Sequence, residues 1–207
     1  MTGYAFDFAG ARLIARPSGG LWWPGQGALV LADLHLGKAG RMARRGGALL
    51  PPFDNRDTLA RLMAEVAALS PRQVILLGDS FDDDQARGEL SAEDGAVLAG
   101  LASRCDLVWI GGNHDPGDDP AQITLAGITL RHQAGAGPDM SGHFHPKVTV
   151  AGRRRAAFLI GRDHLILPAF GSYTGGMDAD TGLLRDLVGP GRAVLLGGSR
   201  AVPVPFG

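Results

Sequence analysis

The stretch that decides the fold is Ala28-Leu-Val-Leu-Ala-Asp-Leu-His35, a short apolar run that ends in two polar side chains. The same pattern occurs twice more, where residues 74–77 precede Asp79 and residues 107–110 precede Asn113. Continuous apolar runs of this length are typical of strands buried on both faces. We therefore predict a buried strand at each of the three places.

The segments between these strands have the spacing of helices. Apolar side chains recur at helical intervals over residues 59–69, and Pro71 stops the run. Ser91 and Asp94 have the spacing that caps the start of a second helix. Alternating strands and helices indicate a parallel sheet, whose ligands gather beyond the carboxyl ends of its strands. Asp33, Asp79 and Asn113 are therefore expected at one edge.

From about residue 120 the pattern changes to short strands separated by glycine turns. An N-terminal hairpin around Gly10 is also predicted, over residues 4–15. No internal repeat or linker divides the chain, so we expect one domain over residues 1–207. The predicted later strands are residues 122–125, 128–131, 148–150, 156–160, 164–167 and 193–196.

Composition excludes several classes of protein. The chain has 207 residues, a formal charge of −1, and one cysteine, Cys105, for which burial as a small apolar side chain is expected. There is no apolar stretch long enough to span a membrane and no secretory signal, so a cytoplasmic protein without a membrane partner is predicted. The near-zero net charge gives no global electrostatic footprint for nucleic acid.

The polar residues at the predicted strand ends and turns form an ordered set of seven oxygen and nitrogen donors. Such a set suits two adjacent divalent cations that share one carboxylate. In the Asp-x-His and His-x-His pairs, extended backbone would point both donors the same way. Singly, a histidine can be a core residue, Asp79 a helix cap and Asn113 a turn residue, but their joint order favours metal binding. The donors are Asp33, His35, Asp79, Asn113, His132, His143 and His145.

These motifs together resemble those of the calcineurin-like binuclear metallophosphoesterases. They are Asp33-Leu-His35, Gly78-Asp-Ser-Phe-Asp82, Gly112-Asn-His-Asp115, His132 and Gly142-His-Phe-His145. Residues 22–24, 32–38 and 167–176 resemble one bacterial subgroup, the ligase-associated DNA damage response endonucleases. The fourth motif departs from the family, since Gln133 stands where glycine is common, which makes His132 the least secure donor.

The resemblance implies an α/β sandwich of two mixed β-sheets flanked by α-helices. It implies one metal held by Asp33, His35, Asp79 and His145, and another held by Asp79, Asn113, His132 and His143. Mn²⁺ is the favoured metal for both positions, and the donor types also admit iron, zinc or nickel. Asp79 would be the bridge.

Two cations about 3.5 to 4 Å apart can share a hydroxide that attacks phosphorus, so no protein nucleophile is needed. His114 follows a predicted ligand without being one, which suits a general acid for the leaving oxygen. Asp115 is the second predicted catalytic residue, as the carboxylate that orients His114, although it could instead cap a turn before Pro116.

Basic residues offer two alternatives for binding the substrate. Lys38, Arg41, Arg44 and Arg45 either contact phosphates of a nucleic-acid strand or form a solvated surface. Residues 153–155, three arginines in a predicted hairpin, are expected to face solvent. Trp22 and Trp23 either stack on bases or pack at a strand entry.

Two enzymatic hypotheses follow, together with one that involves no catalysis. The first is a phosphodiesterase that cuts single-stranded DNA internally, associated in function with a DNA ligase, a helicase and an exonuclease, as the resemblance implies. The alternative is a phosphoesterase for a small nucleotide or phosphomonoester. A binding scaffold on the same fold would be expected to lack ligands, and none is missing here.

Overall fold

The computed structural model describes residues 3–47, 50–51 and 53–207. Within these residues the chain alternates strands and helices in its first half and is rich in strands in its second. The strands are β1 Tyr4–Phe8, β2 Ala11–Ala15, β3 Leu21–Trp23, β4 Ala28–Leu31, β5 Gln73–Leu77, β6 Asp106–Ile110, β7 Gln122–Leu125, β8 Ile128–Arg131, β9 Asp139–Ser141, β10 Lys147–Val150, β11 Arg153–Ile160, β12 His164–Ile166, β13 Gly191–Gly197 and β14 Arg200–Phe206. The helices are α1 Lys38–Arg44, α2 Asp54–Leu69, α3 Asp84–Gly88, α4 Ala92–Ala102 and α5 Gly182–Val188.

The first six strands form one sheet in chain order, β1 to β6. The pairs from β1 to β4 are antiparallel, whereas β4, β5 and β6 run parallel to one another. Parallel neighbours need long crossover connections, and the chain supplies them with α2 between β4 and β5 and with α4 between β5 and β6. The predicted strand and helix order is confirmed.

The second sheet has eight strands in the order β14-β13-β11-β12-β9-β8-β7, with β10 paired to β11. It is also mixed, because β9 runs parallel to both β8 and β12 while the other pairs are antiparallel. This arrangement confirms the predicted architecture of two mixed sheets flanked by helices.

Three apolar clusters hold the layers together. Alternate residues of β4 face opposite ways: Val30 packs between the two sheets, and Leu29 and Leu31 pack beneath α2 and α4. This position explains the unbroken apolar run of β4, since both of its faces are buried. A third cluster joins the outer face of the second sheet to α5 through Leu184 and Val188.

Some elements escape prediction for identifiable reasons. No strand is predicted from the sequence after residues 193–196, yet β14 forms at the edge of the second sheet, where prolines such as Pro203 and Pro205 are tolerated. Trp22 and Trp23 lie in β3 rather than in a turn, and both pack into the core clusters, which disfavours base stacking by them. Cys105 is buried, as expected.

Among the described residues, no helix combines the length and the apolar character that crossing a membrane would require.

Candidate metal centre

Three polar residues follow the parallel strands β4, β5 and β6 at their carboxyl ends. Asp33, Asp79 and Asn113 come two or three residues after these strands end at Leu31, Leu77 and Ile110. The parallel pairing brings the three strand ends to one edge of the sheet, as the sequence predicted.

The backbone at the donor pairs is not extended, so that part of the prediction is wrong. Asp33 and His35 have φ angles of 53° and 47°, and His143 and His145 have φ angles of 68° and 46°. Left-handed backbone at non-glycine residues is uncommon and concentrates at functional sites. The turn after each strand, rather than a straight continuation of it, brings both members of each pair to the cluster.

The first donor group is formed by Asp33, His35 and His145. Nε2 of His145 lies 3.2 Å from Oδ1 of Asp33 and 3.4 Å from Nε2 of His35. Asp33 and His35 are buried, and the His145 side chain is only 15% exposed. Three ligand-type atoms therefore converge on one small volume.

The second donor group is formed by Asp79, Asn113, His132 and His143. Oδ1 of Asn113 lies 2.9 Å from both Nε2 of His132 and Nδ1 of His143, and these two nitrogens are 3.0 Å apart. Oδ2 of Asp79 completes the group at 3.4 Å from Nε2 of His132. His132, the least secure donor in the sequence, lies at the centre of this group.

Asp79 lies between the two groups. Its Oδ2 is 4.0 Å from Nε2 of His35 in the first group and 3.4 Å from Nε2 of His132 in the second. Burial alone would raise the pKa of Asp79, but the contacts with His132 outweigh burial and lower the pKa from 3.8 to about 2. The carboxylate is therefore charged at neutral pH and available to both groups.

The hydrogen bonds behind the second group fit a cation. Nδ1 of His132 lies 2.9 Å from the carbonyl oxygen of Leu77, so this nitrogen carries the proton of the neutral ring. A neutral ring would direct the lone pair of Nε2 at the oxygen atoms of Asn113 and Asp79, and either a bound cation or a proton on Nε2 satisfies that contact. Burial would lower the pKa of His132, but the carboxylates of Asp79 and Asp33 outweigh it and raise the pKa. A positive charge is favoured at this point.

Glycines next to the donors leave room that a side chain would fill. A Cβ at Gly112 would lie 2.2 Å from Oδ1 of Asp79, and one at Gly142 would lie 2.3 Å from Oδ2 of Asp33. Both distances are far inside van der Waals contact, so the backbone approaches the carboxylates only because these residues are glycine. The donor types, their convergence and this clearance together fit divalent metal ions.

His114 reaches the same cluster from the loop after β6. Its backbone N–H donates to Oδ1 of Asp79 at 2.9 Å, and its Nε2 lies 3.9 Å from Oδ2 of the same residue. Its Nδ1 lies 2.9 Å from the carbonyl oxygen of Asp82, which fixes the ring and leaves Nε2 facing the cluster. With a side chain 29% exposed, His114 is open to a substrate.

Asp115 does not orient His114, contrary to the sequence prediction. Its carboxylate is buried and accepts the backbone N–H of Phe81 at 3.0 Å, so it braces the segment after Asp79. Burial raises the pKa of Asp115, against the hydrogen bond from Phe81. The orienting acceptor for His114 is the backbone of Asp82 instead.

Asp82 is the residue whose importance the sequence did not reveal. Its carboxylate is fully buried and lies 2.9 Å from Nδ1 of His35, although this contact lacks hydrogen-bond geometry. It also contacts Nζ of Lys38 at 3.3 Å and a guanidinium nitrogen of Arg41 at 2.8 Å. Asp82 thus supports one predicted ligand with its side chain and His114 with its carbonyl. Its place in the Asp79-Ser-Phe-Asp82 motif was the available signal.

The basic residues predicted to bind substrate are therefore divided by the structure. Lys38 and Arg41 both pair with the single carboxylate of Asp82, whereas Arg45 is exposed. Arg44 pairs with Asp83 at 2.8 Å and also contacts Glu89.

His164, the histidine outside every motif, lies away from the donor groups. Its Nδ1 is 2.9 Å from Oδ1 of the buried Asp139, at the paired starts of β12 and β9. This contact gives His164 a structural role.

Comparison with solved structures finds a similar fold in a known nuclease. The crystal structure of the Pseudomonas putida nuclease MPE superposes with a TM-score of 0.75 at 27% identity, covering 98% of this chain and 100% of that one. The E. coli phosphoesterase Yfce gives a TM-score of only 0.43 at 15% identity, covering 87% of this chain and 99% of that one. No curated protein matches the chain.

The sequence model of the calcineurin-like phosphoesterases matches residues 28–158, which include all seven predicted ligands and well over half of the chain. The protein therefore belongs to the calcineurin-like phosphoesterase family and is a metal-dependent phosphoesterase.

Proposed function

We propose that the protein is a binuclear metal-dependent phosphodiesterase that cuts single-stranded DNA internally. The observation that carries this proposal is the pair of donor groups that meet at Asp79, one containing Asp33, His35 and His145 and the other His132 and His143. A likeness that covers nearly the whole of this chain and all of a known nuclease supports a nucleic-acid substrate.

Each donor group would hold one metal ion. The first ion would be bound by Asp33, His35, Asp79 and His145, and the second by Asp79, Asn113, His132 and His143. Carboxylate, amide and imidazole donors suit Mn²⁺, the metal that we propose. When bound, two such ions supply Lewis-acid activation of water and of the phosphoryl group.

The remaining work falls to side chains of the protein. His114 holds its Nε2 towards the cluster and is proposed to donate a proton to the leaving oxygen. Its Nδ1–H donates to the carbonyl oxygen of Asp82, so only Nε2 can transfer a proton to the substrate. Asp82 and Asp115 are positioning residues, because Asp82 lies against His35 and holds the ring of His114 through its carbonyl, and Asp115 holds the backbone at Phe81.

The deciding experiment uses circular single-stranded DNA with Mn²⁺, since only an endonuclease cuts a substrate without ends. We expect the wild-type protein to linearise the circle. We expect Asp79→Ala to lose bound metal and to lose activity by more than about 100-fold, because even residues behind the ligands cost 10- to 100-fold. Asp7→Ala, which removes an exposed carboxylate in β1, is the matched control and should cut normally.

Two results would contradict parts of this proposal. An intact circle, together with hydrolysis of bis(p-nitrophenyl) phosphate, would contradict the DNA substrate and favour the small-substrate alternative. Cutting that survives Asp79→Ala would contradict the shared metal centre. The functional association with a DNA ligase, a helicase and an exonuclease stays a prediction from the resemblance.

A further inference from the structure

Residues 171–176, here called the bridging loop, connect the two ends of the metal centre. At its start, the N–H of Gly171 donates to the carbonyl of Asp33 at 3.0 Å. Just after its end, the N–H of Met177 donates to the carbonyl of Phe144, which lies between two predicted ligands, at 3.0 Å. The bridging loop is therefore anchored to the backbone of the metal centre at both of its ends.

Tyr173 stands in the middle of the bridging loop with 41% of its surface exposed and a φ angle of 57°. A bulky aromatic residue in left-handed backbone is unusual, and such strain persists only where the surroundings impose it. Here they do: the N–H of Ser172 donates to Oγ1 of Thr58 at 3.0 Å, and Oγ1 of Thr174 donates to the carbonyl of Gly171 at 3.2 Å. The ring is presented to solvent from a fixed backbone.

Two cations lie against the bridging loop. Nζ of Lys147 donates to the carbonyl of Thr174 at 3.1 Å, and Arg154 donates to the carbonyl of Gly176 at 3.0 Å. In the part of the chain that the structure describes, neither side chain forms a salt bridge with a carboxylate.

Nearby acidic groups are already engaged. Asp178, which pairs with Lys147 through the backbone, turns its Oδ1 to the N–H of Asp180. Asp180 in turn pairs with Arg185. Neither of these carboxylates contacts Lys147 or Arg154 with its side chain, so both cations can still bind an anion from outside.

We propose that a DNA single strand runs over the bridging loop, where Tyr173 stacks on a base and Lys147 and Arg154 bind phosphates that flank the cleaved one. This inference rests on the proposed nuclease function and names the residues that position its substrate. A charged groove combined with an exposed aromatic ring is the usual means of binding single strands, because every base has a face on which to stack.

The test measures binding of an oligonucleotide by fluorescence anisotropy with EDTA present, so that no cutting occurs. Tyr173→Asn removes the ring while keeping a residue that tolerates left-handed backbone, and we expect Kd to rise about 5- to 150-fold. Tyr173→Phe should bind like the wild type. A strand of tetrahydrofuran abasic units, which offers no base, should bind wild type and Tyr173→Asn equally.

Arg154→Gln tests the phosphate contact separately. It should reduce the salt dependence of log Kd by about 0.7, the value for one phosphate contact in a single strand. Arg200→Gln, at an exposed arginine in the edge strand β14, is the matched control and should leave the slope unchanged.

The outcomes separate this inference from the proposed function. If the wild type cuts circular DNA while Tyr173→Asn binds both strands as tightly as the wild type, the stacking role is wrong and the nuclease function stands. If Arg154→Gln keeps the wild-type slope, the phosphate path is wrong. Circular dichroism and elemental analysis of bound Mn²⁺ show whether each variant is folded with its metal centre intact.

Discussion

Two basic regions flank the metal centre, and they differ in what their positive charges contact. In the first region, around α1, Lys38 and Arg41 meet the buried carboxylate of Asp82. In the second region, beside the bridging loop, Lys147 and Arg154 meet only backbone carbonyls among the described residues. Similar residues therefore have different uses: the first set holds the site together, and the second remains able to bind an anion.

The two regions also have different proposed functions: the first supports the residues of the reaction, and the second binds the strand. The cations of the first region contact Asp82. This residue supports His35, a predicted ligand, and His114, the proposed general acid. The second region carries Tyr173 and cations whose change should alter affinity rather than turnover. The following predictions test that division.

The largest expected effect lies at His114. His114→Ala should lower kcat about 10²- to 10⁴-fold for a diester with a poor leaving group, because general acid catalysis is lost. Metal content, measured by elemental analysis, should not change. His164→Ala is the matched control, since this imidazole contacts Asp139 away from the cluster, and its kcat should be that of the wild type. An unchanged kcat in His114→Ala would show that this ring is not the acid.

The next effect lies at Asp82. Asp82→Asn leaves Lys38 and Arg41 without their anion, and breaking a fully buried pair costs about 3–5 kcal/mol. Because both cations are 19% exposed, we expect the free energy of unfolding in urea to fall by about 2–3 kcal/mol, somewhat less than that range.

The neighbouring Asp83 offers a matched control for this change. It pairs with the more exposed Arg44, and Asp83→Asn should cost no more than about 1 kcal/mol. Equal losses in the two variants would remove the distinction between a buried carboxylate that holds the site and an ordinary surface pair.

The Asp82 effect should also depend on pH. Burial alone would raise the pKa of Asp82, but the contacts with His35 and Arg41 outweigh it and hold the pKa well below its ordinary 3.8. A carboxyl group with a lowered folded-state pKa stabilises the protein above its unfolded-state pKa and loses that contribution as the pH falls. The stability difference between wild type and Asp82→Asn should be complete at pH 6 and shrink below about pH 4. A difference that grew on acidification would contradict the assigned contacts.

The smallest effect is expected at Arg44. Its pairs with Asp83 and Glu89 lie near the surface, where salt bridges contribute about 0–1 kcal/mol. Arg44→Ala should therefore leave the midpoint of urea unfolding close to that of the wild type. It should also leave the salt dependence of strand binding unchanged, in contrast to Arg154→Gln. A change in slope as large as that of Arg154→Gln would place the first region on the strand path too.

Much of the fold follows from local patterns in the sequence. The Ser91 and Asp94 spacing predicts the start of α4, and Oγ of Ser91 indeed accepts the N–H of Asp94 at 3.0 Å. The strands at 122–125 and 128–131 form as predicted, around the Ala126-Gly127 turn. Caps, turns and apolar periodicity are properties of a few neighbouring residues, so they can be predicted from a single sequence.

Other elements depended on distant residues. The prolines of β14 are compatible with a strand only because it lies at a sheet edge, and the short β9 forms because β8 and β12 pair with it on either side. Neither condition is visible in the local sequence, since strand position within a sheet is set by the whole topology.

The sequence by itself determined the order and chemical types of the donors and the parallel strands that carry them. These follow from residue identity and from short-range periodicity. Only the tertiary structure decided which charges are available. Asp82 is 44 residues from Lys38 and 41 from Arg41 along the chain, yet it contacts both, while Lys147 and Arg154 have no such partner among the described residues. The attraction between a charged side chain and an outside ion depends on the groups within a few ångströms of that side chain, and only folding brings those groups together.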